Sequence, residues 1–147
     1  MKDYQKTQST GESFAVDAND GSGANIEVLT ADKTLSAKDS GKTFILKAAA
    51  GKAITYPAAA LVSGFKAKFI VGLAFATTAW TITAASKKIQ GTVVVDGDSV
   101  LGSNEDIITF AHAAENVGDW VEVVSDGTNI YVTGVGSAAA SITLTAS

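Results

Sequence analysis

From residue 26 onward, the chain is a succession of short segments rich in Val, Ile, Thr and aromatic residues, separated by turn-forming residues. Alternation is clearest in Phe65-Lys66-Ala67-Lys68-Phe69, where the two phenylalanines and Ala67 share one face and the lysines share the other. A period of two is typical of a half-buried strand, and these residue types favour strands. Strands are predicted over residues 26–30, 43–47, 53–56, 65–69, 79–84, 89–95, 107–111, 119–125, 128–133 and 141–145.

The strongest local signal is a pair of β-rich runs on either side of Asp126-Gly127. Glycine tolerates positive φ, so this dipeptide predicts a hairpin closed by a type I′ turn. Three alanine-rich stretches, at 48–50, 57–61 and 111–115, are too short for stable helices, and one or two single turns are expected at most. Roughly ten short strands with turns about every 8–12 residues predict an all-β fold, namely an antiparallel β-sandwich, a jelly-roll-like domain or a barrel.

Residues 1–25 differ from the rest, because they are polar and carry Tyr4, Phe14 and Val16 as isolated apolar points. Such a segment cannot bury enough apolar surface on its own to offset its ordering entropy. It is either a frayed terminus or a flexible arm that becomes ordered when laid across a neighbouring subunit. The predicted organisation is therefore an N-terminal arm over residues 1–25 and a single β domain over residues 26–147. Tyr4, Phe14 and Val16 are the candidate contacts of the arm.

Composition argues against several classes of partner. All 11 basic residues are lysines, against 15 acidic residues and a net charge of −4. Arginine supplies the planar fork that reads phosphate and guanine, so no nucleic-acid partner is expected. Residues 1–10 are polar, which predicts no signal peptide, and no apolar run approaches the roughly 18 residues of a membrane span. The chain has no cysteine, which excludes disulfides and thiolate chemistry.

Gly41-Lys42-Thr43 resembles the end of a phosphate-binding loop only superficially. That loop needs a glycine five positions before Gly41, where the sequence has Ser36, and a helix directly after it. Here Phe44-Ile45-Leu46 follows, which predicts a strand. Residues 39–42 are therefore predicted to form a turn between strands.

The search for catalytic and metal-binding groups finds no convincing site. His112 is the only histidine, and a lone histidine beside alanines is more often structural or exposed than a general base. Asp96, Asp98, Glu105 and Asp106 fail the EF-hand spacing, as does the loop at residues 17–20. Solvated turn carboxylates are the favoured interpretation, with an irregular Ca²⁺ site between subunits left open.

Four aromatic residues, Trp80, Trp120, Tyr56 and Tyr131, could stack on sugar rings if they were exposed. They lie within strand patterns, so packing in the core or between subunits is the favoured role. The predicted catalytic residues, metal ligands and cofactors are therefore none, and the protein is not expected to be an enzyme.

Several segments together resemble a group of small virion proteins of tailed bacteriophages. They are Leu35-Ser-Ala-Lys-Asp-Ser-Gly-Lys-Thr-Phe-Ile-Leu-Lys-Ala-Ala-Ala-Gly51, Ile54-Thr-Tyr-Pro57, Gly64-Phe-Lys-Ala-Lys-Phe-Ile-Val71, Asp106-Ile-Ile-Thr-Phe110 and Gly118-Asp-Trp-Val-Glu-Val-Val-Ser-Asp-Gly-Thr-Asn-Ile-Tyr-Val132.

The resemblance implies a β-rich homotrimer that decorates and cements the outer face of an assembled capsid. Its partners would be further copies of itself and the major capsid protein, and it would be located on the exterior of the virion. Tyr4, Phe14 and Val16 would be its candidate contacts with neighbouring subunits or with the capsid. Related modules occur in phage tail fibres, so a receptor- or glycan-binding module of a fibre or spike is the alternative. A carbohydrate-active enzyme ranks last.

Overall fold

The computed structural model describes residues 25–84 and 88–147. The three candidate arm contacts, Tyr4, Phe14 and Val16, lie outside the described residues, so the prediction of an arm stays a prediction. The described part contains twelve strands: β1 Ile26–Leu29, β2 Lys33–Thr34, β3 Thr43–Leu46, β4 Ala53–Tyr56, β5 Ser63–Val71, β6 Trp80–Ala84, β7 Ile89–Val95, β8 Asp98–Glu105, β9 Ile107–Phe110, β10 Trp120–Asp126, β11 Ile130–Gly136 and β12 Ile142–Thr145.

The strands form two sheets that enclose a common core, which confirms the predicted all-β sandwich. One sheet has seven strands in the order β1-β3-β5-β10-β11-β7-β8, and the other has five in the order β12-β9-β6-β4-β2. All ten predicted strands are present. Those over 53–56 and 89–95 have the predicted bounds, while β2 and β8 were not predicted.

The pairing is mixed, so the prediction of an antiparallel sandwich holds for only part of the fold. In the first half, the chain alternates between the sheets: β1, β3 and β5 lie parallel in the larger one, and β2, β4 and β6 lie parallel in the smaller one. A parallel pair needs a long crossover connection, and here a strand of the opposite sheet provides it. The second half is mostly antiparallel, with β11 and β7 as a parallel exception.

The core lies between the two sheets and is built from alternate residues of each strand. The rings of Phe44 and Phe69 stack with centroids 5.2 Å apart, and Tyr56 packs on Phe65 at 4.9 Å. Trp80 is fully buried, and its Nε1 donates to the carbonyl oxygen of Ala48 at 3.2 Å. Burial of each such side chain stabilises the fold by about 1.5–3 kcal/mol.

The hairpin predicted at Asp126-Gly127 is present, with Ser125 paired to Ile130, but its turn is not type I′. That turn requires positive φ at both central residues, and Gly127 alone in this loop has one, at 94°. Instead, Asp126 Oδ1 accepts hydrogen bonds from the backbone N–H groups of Thr128 and Asn129, at 2.8 and 2.7 Å. A side-chain acceptor therefore organises a longer loop.

The two-residue hairpin of the fold lies elsewhere, between β7 and β8. Asp96 and Gly97 both have positive φ, 53° and 86°, and connect the paired residues Val95 and Asp98. The turn predicted over 39–42 is confirmed, and a single 3-10 turn, Ala37–Asp39, precedes it. Within the predicted stretch 57–61, a second 3-10 turn spans Ala58–Ala60.

Candidate association surface

The solvent-facing side of the seven-stranded sheet, here called the outer face, carries a continuous row of apolar residues. The strand register places these residues side by side on six adjacent strands: Val28, Ile45, Ile70, Trp120, Val135 and Val94. Directly opposed residues on one face of a sheet are in van der Waals reach. The row is therefore a single band across the sheet rather than scattered exposed residues.

The band broadens over strands β10, β11, β7 and β8. The apolar residues that point outward there form what we call the four-strand patch: Trp120, Val124, Tyr131, Val135, Val94 and Leu101. Leu101 is 70% exposed, and the two valines of β10 and β11, Tyr131 and Val94 are between 42% and 45% exposed. The outward residues between them are Thr, Ser and Gln, with Glu122 as the charged residue inside the patch. A contiguous apolar patch of this kind marks a contact surface.

Two of the four candidate aromatic residues are core residues, as predicted, and two lie on the outer face. Trp80 and Tyr56 are buried, and burial raises the pKa of Tyr56 to about 12. Trp120 is half-buried on the outer face, where the Lys68 ammonium lies 4.4 Å from its ring centroid in a cation–π contact. Tyr131 is 45% exposed.

The hairpin loop holds the Tyr131 ring at the rim of the patch. The Tyr131 hydroxyl donates to Asp126 Oδ2 at 2.9 Å. Hydrogen bonds from the Asn129 and Thr128 N–H groups and then from this hydroxyl hold the pKa of Asp126 below its usual value. Because these donors favour the charged carboxylate, the loop and the ring are fixed together at neutral pH.

An ionic cluster of Glu27, Lys33, Asp39 and Lys42 lies on the side of the sandwich where β1 and β2 are the edge strands. Lys42 Nζ lies 2.7 Å from Glu27 Oε2 and 2.9 Å from Asp39 Oδ1, and Lys33 Nζ lies 2.8 Å from Glu27 Oε1. The ammonium group of Lys42 thus forms ion pairs with two carboxylates, and strand β3 begins at the next residue. This supports the turn interpretation over a phosphate loop.

The cluster shifts the pKa of its members. Hydrogen bonds from Lys33 and Lys42 lower the pKa of Glu27, and those to Glu27 and Asp39 raise the pKa of Lys42. For Asp39, burial opposes ionisation, but the hydrogen bonds from Lys42 and from the Ser36 N–H outweigh it and lower its pKa.

The acidic residues that were considered as calcium ligands either accept structural hydrogen bonds or lie far from one another. Asp96 and Asp98 lie at the β7–β8 turn, whereas Glu105 lies at the far end of the eight-residue strand β8. Asp106 is buried and accepts hydrogen bonds from the Ser147 N–H and Oγ, at 2.7 and 3.0 Å. Among residues 25–84 and 88–147, no three His, Asp or Glu side chains gather into a metal-sized group. The loop at residues 17–20 lies outside the described residues.

His112 is exposed on the turn that follows β9. Within the same described ranges, no helix is long and apolar enough to cross a membrane. Comparison of the chain with known protein families, curated proteins and solved structures gave no match.

The sequence interpretation missed the four-strand patch, although a signal for it is present. Strands with one solvated face alternate strictly, but Val123-Val124 and Val93-Val94-Val95 carry apolar residues in both phases. Apolar residues in both phases are typical of strands covered on both faces. The sequence signal at Leu101 is weaker, because this residue lies among Gly102 and polar residues in β8, a strand that was not predicted.

Proposed function

We propose that this protein is a structural virion component that works by surface association, and that it decorates and cements the outside of a tailed-phage capsid as a homotrimer. The observation that carries this proposal is the outer face, where an apolar band crosses six strands of the seven-stranded sheet. A protein with such a face gains free energy by covering it. Its partners are further copies of itself and the major capsid protein.

The segments that resemble phage virion proteins coincide with the scaffold of the sandwich. They contain β3, β9, most of β4 and of β5, and the whole of β10 with its hairpin loop. These strands supply the Phe44–Phe69 stack and the Tyr56–Phe65 contact of the core. The resemblance therefore concerns the framework that presents the outer face, and it transfers no reactive residue.

A trimer attaches through several contacts at once, which is how modest contacts can produce lasting attachment. After one subunit has bound, the others bind at a high effective concentration, so avidity exceeds the affinity of a single contact by roughly 10²–10⁴. Residues 1–25, with Tyr4, Phe14 and Val16, are the proposed additional contact with neighbouring subunits or capsid.

The test is co-sedimentation of the purified protein with phage capsids that lack it, with bound copies counted by quantitative mass spectrometry. The proposal expects saturable binding in many copies per capsid, at a stoichiometry set by the capsid lattice. Deletion of residues 1–20 should lower the occupancy while leaving the circular dichroism spectrum and the unfolding midpoint unchanged. Absence of saturable binding, or presence in only a few copies per virion, contradicts capsid decoration.

A second candidate is a receptor- or glycan-binding module of a tail fibre or spike, which the half-buried ring of Trp120 and the 45% exposed ring of Tyr131 favour. Both project from the outer face, on adjacent strands. The faces of aromatic rings that reach solvent can stack on sugars. Binding of the isolated protein to purified cell envelopes, abolished by Trp120→Ala and Tyr131→Ala, would support this candidate over decoration.

A further inference from the structure

We infer that Asp96-Gly97, at the tip of the hairpin between β7 and β8, is a site of spontaneous modification to isoaspartate. The same dipeptide at Asp126-Gly127 is protected from this reaction by its hydrogen bonds. The inference goes beyond the proposed function and does not depend on it. A third such dipeptide, Asp20-Gly21, lies outside the described residues.

The reaction uses groups of the chain itself and water. The backbone nitrogen of the glycine attacks Cγ of the preceding protonated aspartate, so that an N–Cγ bond forms and a Cγ–O bond breaks. The hydroxyl group of the carboxyl leaves with the amide proton as water, and a succinimide ring remains. When water then cleaves the bond between that nitrogen and the main-chain carbonyl carbon, the chain continues through the side chain as isoaspartate. Glycine favours the attack because it has no side chain to shield its nitrogen.

The hairpin tip leaves both reacting groups of Asp96-Gly97 accessible. Both residues are exposed, and a Cβ built on Gly97 would meet no atom within 4 Å. Within the part of the chain that the structure describes, the Gly97 N–H has no acceptor and no group donates to the Asp96 carboxylate. The Asp96 N–H donates to the carbonyl oxygen of Gly136 at 3.0 Å, so the tip is anchored on the side that does not react. The attack therefore requires no hydrogen bond to be broken first.

The loop at Asp126-Gly127 holds the same two groups in place. The Gly127 N–H donates to Ser125 Oγ at 2.9 Å, and the Asp126 carboxylate accepts from two backbone N–H groups and from the Tyr131 hydroxyl. These donors also lower the pKa of Asp126, which reduces the protonated fraction that can react. The loss of a single hydrogen bond of typical strength corresponds to about fivefold in rate, so Asp126 should react at least about fivefold more slowly than Asp96.

Modification at the tip should loosen strand β8. Isoaspartate lengthens the backbone by one atom, whereas a two-residue hairpin has a fixed geometry that aligns its strands. The tip joins the paired residues Val95 and Asp98, and β8 is an edge strand whose neighbour in the sheet is β7. Leu101 of the four-strand patch lies on β8. Ageing of the tip should therefore speed hydrogen exchange of the β8 amides and disturb this edge of the patch.

The test is incubation of the full chain for several weeks at physiological temperature and mildly acidic pH, folded in buffer and in parallel unfolded in guanidinium chloride. Trypsin and a glutamate-specific protease then release residues 89–105 and 123–147 as separate peptides. Electron-transfer fragmentation distinguishes isoaspartate from aspartate in each. In the folded protein, isoaspartate should form at least about fivefold faster at Asp96 than at Asp126. In the unfolded protein the two rates should agree within about threefold, because the fixed hydrogen bonds are lost.

Two kinds of variant separate the causes. Ser125→Ala frees the Gly127 N–H and should raise the rate at Asp126 by about threefold or more, with Asp96 of the same molecule as the reference. If circular dichroism shows that this variant does not fold, Tyr131→Phe takes its place, because it removes a donor to Asp126 at a position that is 45% exposed. Asp96→Glu has a longer side chain that does not close the succinimide ring, so its β8 amides should keep their exchange rates on ageing.

Faster isoaspartate formation at Asp96 than at Asp126 in the folded chain, lost on unfolding, supports the inference. It is overturned if Asp96 forms no isoaspartate in the folded chain or if Asp126 reacts there as fast as Asp96. A difference that persists in denaturant also overturns it, since sequence rather than structure would then set the two rates. Equal rates at Asp126 in the wild type and in the folded variant contradict the protection by hydrogen bonds.

Discussion

The buried carboxylate of Asp119 joins the ends of β10 and β11, two adjacent strands of the four-strand patch, and its removal should destabilise the protein strongly. Asp119 is 4% exposed and directly precedes β10, while Ser137 directly follows β11. Asp119 Oδ1 accepts hydrogen bonds from the Ser137 N–H at 3.0 Å and from its Oγ at 2.8 Å. The other oxygen, Oδ2, accepts from the Asn116 N–H at 2.9 Å.

The magnitude follows from these three bonds. A hydrogen bond to a charged group contributes about 1.5–3 kcal/mol net, and a buried donor left without a partner adds about 1–3 kcal/mol. Because bonds to one carboxylate are not additive, we expect Asp119→Ala to lower the free energy of unfolding by about 3–5 kcal/mol. Asp119→Asn keeps an acceptor for Ser137 but turns its NH₂ group towards the Asn116 N–H, so a loss of about 1–3 kcal/mol is expected.

The assay is urea unfolding at one low protein concentration, followed by tryptophan fluorescence and fitted with a shared m value. Asp98→Ala, at an exposed aspartate of β8, is the control and should change the free energy of unfolding by at most about 0.5 kcal/mol. The reasoning is refuted if Asp119→Ala costs less than about 1 kcal/mol, or if the Asn variant costs as much as the Ala variant.

Two further predictions concern the ionic cluster and a close backbone contact. The pKa values of Glu27 and Asp39 are lowered, so their contribution is present above the ordinary values of 4.5 and 3.8 and is lost as the pH falls through the lowered ones. Lys42→Met should therefore reduce the loss of unfolding free energy that wild type shows at acid pH. The reduction should be about 1 kcal/mol at most, because the ion pairs are partly exposed. An unchanged pH dependence would contradict the role given to the ion pairs. Gly91 has φ of 124°, and a Cβ there would lie 2.4 Å from a carbonyl oxygen of β11, so Gly91→Ala should cost about 3 kcal/mol or more in urea unfolding. Gly118 also has positive φ, 103°, but open space around it, so Gly118→Ala should cost only about 1–2 kcal/mol; equal losses would show that the clash is relieved.

Local pattern was enough to locate ten strands and several turns. Residue type and turn signals depend only on neighbouring residues, and they identified β4 and β7 with their observed bounds. The strand β8 was not predicted, because glycine occupies its inward-facing position 102 and gives no apolar signal there. A Cβ at Gly102 would lie 2.8 Å from Leu144 Cδ1, so a residue of β12 in the other sheet explains the glycine. That contact joins residues distant in sequence, and no local pattern contains it.

The residues alone determined that the chain is all-β, that it carries no arginine or cysteine, and which side of most strands is apolar. Only the tertiary structure decided that β1, β3 and β5 lie parallel while β2, β4 and β6 build the opposite sheet. It also decided that Trp80 belongs to the core and that Trp120 is half-buried on the outer face, although both lie in predicted strands. The physical reason is that pairing order and register depend on side chains brought together from distant segments. An apolar band across six strands exists only after those strands are aligned.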